Sequence, residues 1–213
     1  MPRALIFANG DFSRPELARS IPRPDDVIIA ADGGARHALV LGMLPSLIIG
    51  DFDSLTEPEV KHFASLDVQF QRFPQAKDET DLELALLHAI HAGYNPILIM
   101  GAFGGRLDQT LGNIALLSNP EVIQADVRID DGATEVFMVT GESEIQGQPG
   151  DTVSFVPWGS RVEGVSTTGL LYPLKNETLF PHRTRSISNE MLAQTAVVSI
   201  KTGLLLCVHL RIN

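Results

Sequence analysis

The sequence predicts an α/β fold, a parallel sheet covered by helices, followed by a small antiparallel β domain. Three observations lead there. Short apolar runs without polar alternation recur through the first two-thirds of the chain, separated by segments with helical periodicity. Strands of that kind are buried on both faces, as in parallel sheets flanked by helices. After Gly132 the helical periodicity stops, and short β-branched runs alternate with glycine and proline turns, the pattern of a sandwich or barrel. Each run of the first part also ends in glycine, asparagine or acidic residues, and parallel sheets bind ligands beyond the carboxyl ends of their strands. The boundary is placed near Gly132, dividing the chain into residues 1–132 and 133–213.

In order, Ala4–Ala8 is the first expected strand, closed by Asn9-Gly10, and Val27–Ala31 the second, closed by Asp32-Gly33-Gly34. A helix from Ala35 to about Leu41 ends at Gly42, a suitable C′ residue. Leu47–Ile49 is the third strand. Thr56-Glu57-Pro58-Glu59 has the form of a capping box with an early proline, opening a helix to about Leu66. Val68–Phe73 is a more polar strand, suited to an edge. Asp81–Ala92 is a helix with Leu82, Ala85, Leu86, Ala89 and Ile90 on one face. Pro96–Met100 and Val127–Ile129 complete the sheet, with a helix from Arg106 to about Leu117 between them. The later strands are Val136–Val139, Thr152–Val156, Val162–Val165, Ala196–Ile200 and Leu204–Leu210.

The formal net charge is −10 and no basic run occurs, which disfavours nucleic acid and anionic membranes as partners. Cys207 is the only cysteine, so an internal disulfide is excluded and a reducing compartment is expected. The five apolar residues after Met1-Pro2-Arg3 are too few for a signal sequence, and no apolar stretch is long enough to span a bilayer. The expected location is the cytoplasm. No Walker loop, Gly-x-Gly-x-x-Gly fingerprint, His-Glu-x-x-His or Gly-x-Ser-x-Gly elbow is present.

The stretch around which the chain is organised is Leu47-Ile48-Ile49-Gly50-Asp51-Phe52-Asp53-Ser54. In extended chain, Asp51 and Asp53 share a face while Phe52 turns back toward the body. Two such carboxylates repel by about 1 kcal/mol in water and roughly 4 kcal/mol at an effective dielectric of 20. A hard cation between them, magnesium above all, relieves that cost; a solvated acidic turn is the plain alternative. Asp78 and Asp81, a helical turn apart, are expected to join the cluster. Thr80 serves both as N-cap and as a phosphate contact at a helix N-terminus. Gly104-Gly105-Arg106 fits a phosphate-binding turn, with Asp108 facing the same opening. On residues alone the reading is magnesium-dependent phosphate chemistry on a nucleotide.

Asp32-Gly33-Gly34-Ala35, Gly50-Asp51-Phe52-Asp53-Ser54, Lys77-Asp78-Glu79-Thr80-Asp81 and Gly104-Gly105-Arg106-Leu107-Asp108 with Leu111-Gly112-Asn113 closely resemble the thiamine pyrophosphokinase family. So do Thr168-Gly169-Leu170-Leu171-Tyr172-Pro173-Leu174 and Ser186-Ile187-Ser188-Asn189-Glu190. The resemblance implies transfer of a pyrophosphoryl group from ATP to thiamine, giving thiamine diphosphate and AMP. It also implies a Rossmann-like α/β domain with a β-sandwich, in a homodimer that binds thiamine where domains and subunits meet. By the same resemblance, Asp51, Asp53, Asp78 and Asp81 would hold Mg2+. Asp32, Gly33, Gly34, Thr80, Gly105, Arg106, Asp108 and Gln109 would bind the nucleotide and the transferring group. Tyr172, Ser186, Ser188 and Asn189 would receive thiamine. Gln109 stands where many bacterial members have histidine. Asp81 or Asp108 would accept the hydroxyl proton. A pyrophosphokinase for a pterin alcohol, or a binding module without turnover, are the alternative readings.

Overall fold

The computed structural model describes residues 2–212. It divides into two compact units, one running to Asp131 and the other starting at Gly132.

The first unit carries six parallel strands: β1 (Ala4–Phe7), β2 (Val27–Ala31), β3 (Leu47–Gly50), β4 (Gln69–Arg72), β5 (Ile97–Met100) and β6 (Val127–Asp130). They run in the order β6-β5-β1-β2-β3-β4, with β1 central; Phe7 aligns with Ala30 on one side and Met100 on the other. Five helices accompany them: α1 (Pro15–Ala18), α2 (Ala35–Val40), α3 (Glu57–Ser65), α4 (Asp81–His91) and α5 (Leu107–Leu116). Alternate strand residues face opposite sides. Leu5, Phe7, Ile28, Leu98 and Met100 pack with Ala18 of α1 and Ala38 of α2. Ala30 and Ile48 pack with Ala35 and with Phe63 of α3. Ile6, Ile29, Ile49 and Ile99, of the other parity, are equally buried. Helix α4 lies against β1, β2 and β3 and buries Leu82, Ala85, Leu86 and Ala89. Both faces are therefore covered, and the strands can be apolar throughout.

The order reverses between β1 and β5. Connections from β1 lead through β2 and β3 to β4, and the chain then returns to the other side of β1. Such a switch point opens a crevice beyond the strand ends. Gly34 fits tightly beside it: a Cβ there would lie 2.0 Å from the Phe7 carbonyl oxygen.

The second unit holds β7 (Thr134–Val139), β8 (Glu142–Gln146), β9 (Thr152–Pro157), β10 (Val162–Thr168), β11 (Glu177–Leu179), β12 (Asn189–Glu190), β13 (Thr195–Ser199) and β14 (Leu205–Leu210). Strands β12-β9-β14-β7 and β11-β10-β13-β8 form two antiparallel layers. They enclose one core that includes Phe137, Ile145, Phe155, Val165, Leu179, Val198 and Cys207. Three of these strands were not expected from the sequence. Only Ile145 is buried in β8, and β11 and β12 are three and two residues long, too little apolar pattern to register.

His209 on β14 is fully buried, although its sequence context gives no sign of it. Its Nε2 lies 2.9 Å from Asp151 Oδ2 and its Nδ1 3.4 Å from Glu135 Oε2. The backbone amides of Ile212 and Gln148 also donate to Asp151, and Arg211 stands 3.6 Å from Glu135. Burial alone would lower the imidazole pKa, and the Arg211 charge acts in the same direction. The bonds to Glu135 and Asp151 outweigh both and hold it above its ordinary value. Burial would likewise raise the Asp151 carboxyl, but the Ile212 amide and His209 bring it below its ordinary value.

A raised folded pKa makes the histidine contribution complete below the unfolded value of about 6.5, and it is lost as pH rises through the folded value. A lowered one makes the Asp151 contribution present above about 3.9, and it is lost on acidification through the folded value. The urea midpoint is therefore expected to fall as pH rises above about 6.5. His209→Gln should flatten that fall and cost about 3–5 kcal/mol at the acid end. Equal pH dependence in the two proteins would contradict the buried imidazolium.

Candidate active site

The carboxyl end of β3 is built around a buried ring. Phe52 has a left-handed backbone, φ 66°, which costs a non-glycine residue about 1–2 kcal/mol. Its side chain is buried, edge-on to Phe70 at 5.3 Å and beneath the Arg72 guanidinium at 4.6 Å. Arg72 also donates to the Asp51 carbonyl at 3.0 Å. Anchored this way, the turn aims Asp51 and Asp53 outward together. The Asp53 amide donates to Asp51 Oδ1 at 3.0 Å, and Gln75 donates to Asp53 Oδ2 at 3.1 Å.

Asp32, at the end of β2, reaches the same place. Its backbone is also left-handed, φ 45°, and its side chain is buried. Oδ2 accepts the Ser54 amide at 3.2 Å, whereas the buried Oδ1 has no hydrogen-bond partner among the described residues. A Cβ on Gly50 would meet Asp32 Cβ and Asp81 Cγ at 3.1 Å, so a glycine is what lets these carboxylates approach. Arg36 of α2 braces the turn, donating to the Ser54 carbonyl at 2.6 Å and to Glu59. That guanidinium and the Thr56 cap hold the Glu59 carboxyl far below the usual carboxylate range.

Carboxylate oxygens of Asp32, Asp51 and Asp53 lie within 4.8 Å of one another. Three oxygen donors at that spacing, from side chains that include the buried Asp32 with its unpaired Oδ1, fit a hard divalent cation. Asp81, at the start of α4, stands beside them. Burial holds its carboxyl above the ordinary range, with Asp51 and Asp32 adding to the effect against the pull of Lys77. Lys77 Nζ is 3.0 Å from Asp81 Oδ1 and 3.9 Å from Asp51 Oδ2. Burial would lower its pKa, but Asp81, Asp51 and Asp32 together keep it raised.

This cluster lies in a cavity of about 820 Å³. Its walls are the loops after β1 (Asn9, Gly10, Asp11), after β2 and β3 (Asp32, Asp51, Asp53, Ser54), before and at the start of α4 (Lys77, Thr80, Asp81), and after β5 (Ala102, Gly104, Gly105), with Arg106, Gln109 and Asn113 leading into and along α5. Thr80 caps α4, its Oγ1 accepting the Glu83 amide at 3.2 Å.

Eight of the residues singled out in the sequence thus share one cavity: Asp32, Asp51, Asp53, Thr80, Asp81, Gly105, Arg106 and Gln109. Others stand elsewhere. Asp78 is exposed and outside both the cavity lining and the three-carboxylate group; Asp32 stands beside Asp51 and Asp53 instead, at the turn that ends β2. Asp108 does not face the cavity. In the first turn of α5 its carboxylate is engaged by the Arg106 fork, Nε to Oδ1 at 3.1 Å. Gly33 and Gly34 are buried in packing, the first against the Asn9 side chain and the second against Phe7, and neither lines the cavity. Lys77 and Asn9 were passed over as site residues, although each sits in a loop following a predicted strand, the one signal that would have found them.

The model of the thiamin pyrophosphokinase catalytic domain matches residues 19–130, and that of the thiamin pyrophosphokinase vitamin B1 binding domain matches residues 142–205. Thiamine pyrophosphokinase of Bacillus subtilis (strain 168) is 32% identical over 183 residues, 85% of this chain and 86% of its own. The chain belongs to the thiamine pyrophosphokinase family. Among solved structures, thiamine pyrophosphokinase from Bacillus subtilis matches with a TM-score of 0.88 at 29% identity, covering 98% of this chain and 99% of that one. Thiamin pyrophosphokinase from Geobacillus thermodenitrificans matches with 0.86 at 27% identity, covering 99% and 97%.

The vitamin B1 binding domain of this family member contains the four residues expected to receive thiamine. Tyr172 is 62% exposed. Asn189 is buried and clamps the Tyr172 backbone, accepting its amide at 3.0 Å and donating to its carbonyl at 2.7 Å. The Ser186 hydroxyl is buried and donates to the Phe155 carbonyl at 2.7 Å. Ser188 is exposed with φ 59°, its amide held by the Ser154 hydroxyl. Two of the four side chains thus hold backbone in place, and Tyr172 offers its ring.

Asp32→Asn keeps an acceptor for the Ser54 amide but removes one charge from the thiamine pyrophosphokinase cluster. Its unfolding temperature without metal is expected to equal or exceed the wild-type value, because repulsion is relieved. Addition of Mg2+ is expected to raise the unfolding temperature of the wild type and not that of the variant. A thermal shift series with and without Mg2+ checks this, and an undiminished Mg2+ response would remove Asp32 from the cluster's role.

Proposed function

We propose that this chain transfers the pyrophosphoryl group of ATP to the hydroxyl of thiamine, producing thiamine diphosphate and AMP. One observation carries the reading: the carboxylates of Asp32, Asp51 and Asp53, with Asp81 beside them, crowd one end of a cavity of about 820 Å³. Those four carboxylates lie in the part of the chain matched by the family's catalytic domain.

In this reading Asp32, Asp51 and Asp53 hold Mg2+, which neutralises phosphate charge when bound. The α4 N-terminus capped by Thr80 and the Gly104-Gly105 turn receive phosphate oxygens. Arg106 exchanges the Asp108 carboxylate for phosphate, a bidentate partner of similar geometry. The thiamine hydroxyl attacks the β-phosphorus in line, the bond to the α-phosphate oxygen breaks, and AMP leaves. Such transfer depends on positioning and charge neutralisation more than on covalent help. Asp81 accepts the hydroxyl proton, since burial already makes it the more basic carboxylate. Asp108 is exposed and outside the cavity lining, away from the transfer.

On the β domain, the exposed Tyr172 ring suits the permanent cation of thiazolium, and Asn189 fixes the loop that presents it. Leu171, Tyr172, Ile187 and Leu192 leave apolar surface exposed on this unit, which favours a homodimer. A single cysteine, the buried Cys207, suits a reducing cytoplasm, and no helix among the described residues is long and apolar enough to cross a membrane.

Incubated with ATP, Mg2+ and thiamine, the protein is expected to release AMP in step with thiamine diphosphate. Release of ADP, or consumption of ATP with a pterin alcohol but not with thiamine, would overturn the proposal. Light scattering on the eluting protein should give the mass of two chains, and a single-chain mass at micromolar concentration would refute the dimer.

A further inference from the structure

We infer that Lys77 is a built-in counter-cation of the acidic cluster, holding the place of the metal until it arrives and then passing to the phosphates. The inference rests on the function proposed above.

Lys77 lies in the loop between β4 and α4, with only 12% of its side chain exposed. Its ammonium stands 3.0 Å from Asp81 and 3.9 Å from Asp51, with the Pro74 carbonyl at 3.3 Å. Lys77 and Arg106 are the two basic residues among those lining the cavity. Arg106 is 72% exposed and engaged by Asp108, so Lys77 is the cation that sits among the carboxylates. Its charge offsets part of the repulsion among the four acidic side chains.

A divalent cation held by Asp32, Asp51 and Asp53 shares Asp51 with Lys77. The two positive charges then repel at a few ångströms, and Asp51 cannot serve both fully. Lysine carries a point charge on a flexible four-carbon stem, so its head can move while the loop stays in place. The anions entering with the nucleotide are the nearest new partners for it. Metal alone therefore competes with Lys77, whereas metal and triphosphate together cooperate with it. This favours joint arrival of the ion and the nucleotide over loading of the bare site.

Calorimetry on Lys77→Met separates these effects. Mg2+ alone should bind the variant about tenfold more tightly than the wild type, because a competing charge is gone. With saturating Mg2+, α,β-methylene ATP, which has no cleavable bridging oxygen, should bind about tenfold more weakly, because a phosphate partner is gone. Lys77→Arg keeps the charge and should bind Mg2+ as the wild type does. Lys77→Gln, which retains a donor for Asp81, is measured in parallel so that a folding defect in the methionine variant cannot mask the result. Opposite signs for the ion and the nucleotide support the inference. A change of the same sign in both, or unaltered Mg2+ binding in both neutral variants, overturns it while leaving wild-type AMP formation intact. Absence of AMP formation by the wild type would instead refute the underlying function.

Discussion

Everything at the catalytic rim depends on holding like charges together against their repulsion. The force that does so is hydrophobic. Phe52 is driven into the core between Phe70 and the Arg72 guanidinium, and its burial outweighs the cost of a left-handed backbone. With that ring fixed, Asp51 and Asp53 have no freedom to part, and Gly50 lets Asp32 and Asp81 close in behind them. The strain is local, and the sheet that supports it is covered on both faces.

The two units handle buried charge in opposite ways. In the β unit, Asp151 accepts from two backbone amides and His209, and Glu135 lies between His209 and Arg211. That cluster is closed and serves folding. In the α/β unit, Asp32 keeps a buried oxygen unpaired, and Lys77 is the cation set within the cavity. An incompletely satisfied group in a rigid frame is stored binding energy for whatever completes it. The contrast between the clusters separates a structural use of charge from a functional one within a single chain.

Much of the fold was legible because a parallel sheet needs apolar strands and the loops after them face one edge. At Asp51-Phe52-Asp53 the expected outcome, Phe52 inward, is found, but a left-handed backbone at Phe52 produces it rather than extended alternation. Most of what sequence reasoning placed differently depends on contacts between distant segments. Asp32, and not Asp78, stands with Asp51 and Asp53, because spacing along α4 says nothing about which way the β2 turn points. Asp108 turned to its neighbour Arg106, an attraction that proximity in sequence implies but a phosphate-binding reading overlooked. Gly34 is required by the approach of β1 and Gly33 by the Asn9 side chain beyond it, long-range constraints that a glycine pair cannot announce. His209 is invisible because its two carboxylate partners lie 58 and 74 positions away.

The polarity of β4 has a consequence for how the molecule behaves in a crowded solution. It stands at the end of the parallel sheet and carries Gln69, Gln71 and Arg72 as exposed residues. An outermost strand with an apolar face would invite strands from other molecules to add to it. Two glutamines and a guanidinium, one of them already bound to the Asp51 carbonyl, make that addition unfavourable. The same arginine that steadies the acidic turn thus helps keep separate copies of the protein from joining edge to edge.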